Sequence, residues 1–107
     1  MQAVLDGSRT GWRPYAAAVF SQLQRASLSV QLNIAEGYAL MSPGRFRYHL
    51  RIAYASAVET HELLEILSRN NLLPNELCID AIARCSRSQR LLMGLIKRYS
   101  KPEDGKR

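Results

Sequence analysis

The 107-residue sequence predicts an all-α protein of the antiparallel, up-and-down four-helix-bundle type, with its first helix short or missing and three long helices. Three observations carry this reading. Apolar residues make up 47% of the chain, enough for a globular core. Ala, Leu, Arg, Ser and Gln are plentiful, while the β-branched and aromatic runs of strands are missing. Apolar positions recur at helical spacing through long stretches separated by Gly, Asn and Pro signals. A chain of this size forms one domain, 1–107, with an irregular lead over 1–11 and a polar tail over 101–107.

In the lead, Gly7, Ser8, Thr10 and Gly11 interrupt any helix, leaving at most a short turn around Gln2 to Leu5. Trp12 is an anchor ahead of Pro14, which suits a helix's first turn. From Pro14 a helix is expected to about Tyr38, with Val19, Leu23, Ala26, Val30 and Ile34 on its apolar face and Gly37 loosening its end. Ser42 is an N-cap and Pro43 a first helical residue, where a missing N–H costs nothing.

The next helix should run from Pro43 to about Arg69. Its seam is Phe46, Leu50, Ala53, Ala57, Thr60, Leu64 and Leu67, at alternating spacings of four and three. A second apolar strip, Tyr48, Ile52, Ala55 and Ile66, lies on a neighbouring face, so this helix is central or shared with another subunit. Asn70-Asn71 stops it and Pro74 starts the last helix, whose seam is Cys78, Ile82, Cys85, Gln89, Leu92, Ile96 and Tyr99. That helix should end near Ser100, ahead of Lys101-Pro102-Glu103-Asp104-Gly105.

Several function classes are excluded. No stretch of about 18 apolar residues exists and no signal-peptide layout opens the chain, which predicts a cytoplasmic protein with no membrane partner. Cys78 and Cys85 would lie about 10 Å apart along one helix, too far for a disulfide, and read as thiols in a reducing compartment. His49 and His61 are too far apart on one helix to share a metal, although His61 might approach Cys85 across the last helix pair. There is no phosphate-binding glycine loop, nucleophile elbow or metal-ligand cluster. Glu36 and Glu59 fall roughly 20 to 30 Å apart by helix rise, which rules them out as an acid–base pair. No catalytic residue, metal or cofactor is expected, and the protein is read as a non-enzyme.

Counting outward from the Ala39 to Ser42 turn brings Glu36 level with Arg45, Asn33 with Tyr48 and Arg25 with Ser56. Arg25, Ser29, Asn33 and Glu36 share a stripe on one helix, and Ser56 and Glu59 a face on the next. A structural polar network follows, with Arg25 paired to Glu59 and Ser29 beside Ser56, fixing the register of the pair.

The net charge of +6, from 15 Lys and Arg against 9 Asp and Glu, favours anionic partners. The same counting places Arg47 level with Lys97, so the basic ends of the two later helices coincide. Lys97, Arg98 and Lys101 complement a helix C-terminus, whereas Arg45 and Arg47 oppose the dipole where they stand. Arg45, Arg47, Arg51, Lys97, Arg98 and Lys101 are therefore the candidate anion or nucleic-acid site, and Glu36 neutralising Arg45 is the structural alternative. No aromatic–basic interleaving of the single-strand-binding kind accompanies them.

One stretch also carries a family resemblance. Gln22, Leu23, Arg25, Ala26, Ser29, Val30, Asn33-Ile34-Ala35-Glu36-Gly37, then Ser42, Phe46, Leu50, Ile52, Ala53, Ser56 and Glu59 resemble the helical-bundle family encoded in intervening sequences of 23S ribosomal RNA genes. The likeness covers about two thirds of the chain. Arg45 stands where that family usually has Glu, and few residues precede Gln22 for the family's long first helix. A family loop also falls near Ala18 to Ser21, so a break is expected there. The resemblance implies a small non-enzymatic binding or scaffold protein, related to accessory variability proteins of retroelements. It further implies a homo-oligomer, with rings of five as the first expectation, and partners such as RNA or an RNA-binding polymerase. The competing reading is an oligomer that binds no nucleic acid. Because so little chain precedes Pro14, the strip of Tyr15, Val19, Tyr48, Ile52, Ala55 and Ile66 is expected to lack cover within one chain.

Overall fold

The structure, a computed structural model, describes residues 2–40 and 42–100, with side chains from residue 14 onward. Three helices follow one another: α1 (Gln2–Leu40), α2 (Pro43–Arg69) and α3 (Asn75–Arg98), with no strand among the described residues. The polar tail, Lys101 included, lies outside them, as do Met1 and Met41.

α1 corrects the sequence reading. It is a single 39-residue helix that passes through Gly7, Ser8, Thr10 and Gly11, holds Pro14 in its interior, does not break between Ala18 and Ser21, and continues past Gly37 to Leu40. The lead is therefore helical rather than irregular, and the first helix is long. Glycine costs a helix about 1 kcal/mol and an interior proline about 3 kcal/mol; these are penalties rather than prohibitions. Good helix formers stand on either side, Ala3 and Leu5 before and Ala16-Ala17-Ala18 after.

α2 begins as its sequence dictates. Ser42 is extended (φ −119°, ψ 125°), its hydroxyl accepts from the Arg45 N–H, and Pro43 fills the first helical position. At the other end the Asn70 N–H and side-chain amide both reach the Ile66 carbonyl. Asn71 then takes the left-handed conformation (φ 55°), which asparagine tolerates better than most residues. The first bond of α3 runs from the Cys78 N–H to the Pro74 carbonyl.

α2 packs against both α1 and α3, while the backbones of α1 and α3 do not pack against one another. The molecule is accordingly long and thin, 66 × 21 × 16 Å, with a radius of gyration of 17.8 Å. A compact chain of this length would have a radius near 13 Å. Leu50, Ala53, Ala57, Leu92 and Ile96 form the main core cluster, with Val30, Phe46, Tyr54 and Tyr99 packed against it. Val19 and Ala26 are buried on α1, and Leu64, Leu67 and Cys78 are buried towards the α2–α3 turn. Of the strip predicted to lack cover, Val19 is buried within the chain and Ile52 and Ile66 are half-buried; Tyr15, Tyr48 and Ala55 are exposed.

Candidate functional site

Two arrangements put polar chemistry on this frame, a ladder between α1 and α2 and an aromatic, basic end where three helix termini meet.

The ladder starts at His49, whose Nδ1 lies 2.9 Å from Asn33 Oδ1. Asn33 Nδ2 donates to the Ser29 carbonyl and hydroxyl at 2.9 and 3.1 Å. With both amide hydrogens committed there, Oδ1 is the acceptor and His49 Nδ1 carries the proton. Ser29 Oγ lies 2.8 Å from Ser56 Oγ, and further down Gln22 Nε2 donates to Glu59. These partners climb α2 as they descend α1.

The predicted Arg25–Glu59 pair is not formed. Arg25 instead donates to Ser21 Oγ and to Gln22 Oε1, at 3.0 and 2.7 Å, and the Gln22 amide relays the contact to Glu59. Arg25 and Glu59 are both exposed, so this relay contributes on the order of 0–1 kcal/mol rather than the several of a buried pair. Glu36 is exposed as well and meets His49 Nδ1 at 3.8 Å, not Arg45. Sequence reasoning missed Gln22 and His49 as members of the ladder. Its count put Asn33 level with Tyr48, one residue short of the true partner. His61 likewise meets Gln89 Oε1 at 3.0 Å, while Cys85 donates to the Ala57 carbonyl at 3.1 Å, so the two residues are not partners.

The other end is built on close approach. Gly37 is buried, and a Cβ added there would lie 2.8 Å from His49 Cβ and 3.0 Å from Phe46 Cδ1. Its role is therefore to let α1 and α2 meet, not to end a helix. Phe46 then contacts Tyr99 of the α3 C-cap edge-to-face (5.1 Å, 74°) and Tyr38 of α1 in the same manner (6.4 Å, 72°). Between them opens an apolar hollow of about 390 Å³ lined by Gly37, Tyr38, Ala39, Ser42, Pro43, Phe46 and Tyr99.

The predicted cations fall around this end in different ways. Arg47 is half-buried and its Nη1 donates to the Tyr99 carbonyl at 2.6 Å, satisfying an orphan acceptor at the C-terminus of α3. The charge that opposes the dipole of α2 thus complements that of α3. Arg45 is exposed beside the Ser42 cap, Arg51 is exposed on α2, and Lys97 and Arg98 are exposed in the last turn of α3. At the far end acidic side chains are partly neutralised, as where Arg84 pairs with Asp80 at 3.0 Å. Among the described residues no three His, Cys, Asp or Glu side chains come together as a metal site. No described helix is long and apolar enough to cross a membrane.

Fold and site together define a small all-helical protein in which a polar ladder and a glycine contact lock one helix to the next. Residues 15–94 match the family model of the 23S rRNA-intervening sequence protein, and the chain belongs to that family. No curated protein and no solved structure matches it.

Proposed function

We propose that the protein is a non-enzymatic, cytosolic helical scaffold that self-associates and offers its basic end to RNA. The observation that carries this reading is that α1 and α3 each pack on α2 but not on one another. An antiparallel bundle of the four-helix type is then one helix short, and a second copy supplies what is missing. Both outer helices carry apolar residues that stay exposed among the described residues: Leu28, Leu32, Ala35 and Ala39 on α1, and Leu77, Leu91 and Leu95 on α3. The α1 set, spaced by four, three and four, shares one face and forms a stripe, and Leu91 and Leu95 are likewise neighbours on α3.

A ring of five, which the family resemblance implies, is the first assembly to expect. Sedimentation equilibrium should give a multiple of 12.1 kDa, and Leu28→Glu combined with Leu91→Glu should reduce it. A wild-type species at the monomer mass at micromolar concentration overturns the self-association. For RNA, or an RNA-bound polymerase, retention on filters should fall steeply with salt and with Arg45→Glu plus Lys97→Glu. An oligomer that binds no nucleic acid is the second reading. It is favoured by Arg47, whose place is accounted for by the Tyr99 carbonyl alone; absence of retention at low salt would decide for it.

A further inference from the structure

We propose that the hollow at the basic end seats one unstacked base of a single-stranded RNA, with the surrounding cations holding the adjoining phosphates. This rests on the RNA reading above and adds where, and in what form, the strand is held. The hollow has the capacity of a small-ligand site at about 390 Å³. Phe46 meets both Tyr38 and Tyr99 edge-to-face, at 72° and 74°; each contact occupies one face of one ring, so most of the six faces of this trio are left to accept a planar group. Tyr38 is 76% exposed, which makes it a stacking platform open to solvent at the mouth.

Charge selects the occupant. No cation lines the hollow itself, but Arg47 donates to the carbonyl of Tyr99 in its wall, and Arg45, Lys97 and Arg98 stand exposed one or two residues from its lining, while the neighbouring carboxylate, Glu36, lies near His49. The same face of a second copy would bring cations against cations, whereas a nucleotide brings a flat apolar ring joined to an anion. Double-stranded RNA is a poor fit, because its bases are not free to enter.

Titration of the full chain with a single-stranded RNA containing 2-aminopurine tests this. Binding should change the fluorescence of the probe, and the paired duplex should bind more weakly. Tyr38→Ala, at a position too exposed to endanger the fold, should weaken single-strand binding about fivefold to hundredfold. The dependence on salt should stay as steep, because no cation is lost. Tyr38→Phe should restore affinity, since stacking needs the ring and not the hydroxyl. Inorganic polyphosphate, which carries the charge without bases, should compete poorly.

Unchanged affinity and probe fluorescence in Tyr38→Ala would overturn the base site. Salt-dependent retention in that same variant would leave the basic-end reading standing. Equal competition by polyphosphate would also overturn it. A Tyr38→Ala protein whose sedimenting mass falls, with no change in RNA affinity, would assign the hollow to a second copy instead. Failure of any RNA to bind at low salt would remove both the base site and the reading beneath it.

Discussion

The two seams of α2 are built from different materials. Against α1, the contact uses small groups and hydrogen bonds: Gly37 and Ala26 are buried, Ser29 meets Ser56, and Asn33 meets His49. Against α3, it relies on apolar volume, with Leu50 and Ala57 clustered with Leu92 and Ile96. Full burial of a leucine side chain contributes about 1.5–3 kcal/mol, whereas a hydrogen bond exchanged with water contributes about 0.5–1.5 kcal/mol. Group for group, the apolar contacts of the α3 seam therefore contribute more than the hydrogen bonds of the α1 seam. Directional bonds tolerate no slip, however, so the α1 seam is the one that specifies register.

That contrast can be broken first at its apolar side. Leu50 is fully buried, so Leu50→Ala should destabilise the protein by about 2–5 kcal/mol, read as a lowered urea midpoint with little change in slope. A loss below 1 kcal/mol would mean that the α3 seam is not the principal core.

Asn33→Leu should come next. It strands the His49 Nδ1–H, while Ser29 Oγ keeps Ser56, at a cost of about 1–3 kcal/mol. Amide exchange over residues 43–60 should rise as the pairing of α1 with α2 loosens. Retained stability would show that the ladder decorates the seam without fixing it.

Gly37→Ala sets two effects against each other. Helix propensity favours alanine by about 1 kcal/mol, but the added Cβ meets His49 Cβ at 2.8 Å, and overpacking of this kind costs about 1–3 kcal/mol. The atom it meets is close to the backbone of α2 and cannot rotate away, so a net loss near 1 kcal/mol is expected in thermal melts. A stabilised variant would sink the close-approach account.

The smallest effect concerns pH. Burial pushes the Cys85 thiol above its ordinary value of 9.0. The unfolded chain then loses this proton first as pH rises. Its contribution is complete below the unfolded value and declines as pH climbs towards the folded one. Cys85→Ser keeps a donor for the Ala57 carbonyl without a titrating thiol. The difference in melting temperature between the two proteins should therefore change above about pH 9, the wild type losing more. Parallel curves through that range would show that the thiol is not held neutral by the fold.

The limits of α2 were legible because each is written in local chemistry: Ser42-Pro43 at one end, Asn70-Asn71 at the other, and an apolar seam between them. Pro74 marked the start of α3 in the same way. α1 was misread where local penalties were taken as stops, since Gly7, Gly11 and Pro14 weaken a helix without ending it. The ladder was visible in outline, because residues spaced by three and four share a face. Its true pairs were not, since one residue of register exchanges Tyr48 for His49. Only the tertiary structure decided the rest. Gly37 owes its place to the approach of a second helix, Arg47 owes its own to the C-terminus of a third, and Tyr99 is remote in sequence from the Tyr38 and Phe46 it joins. Periodicity reports which face of each helix is buried; which distant side chains meet at the ends depends on how three helices are packed.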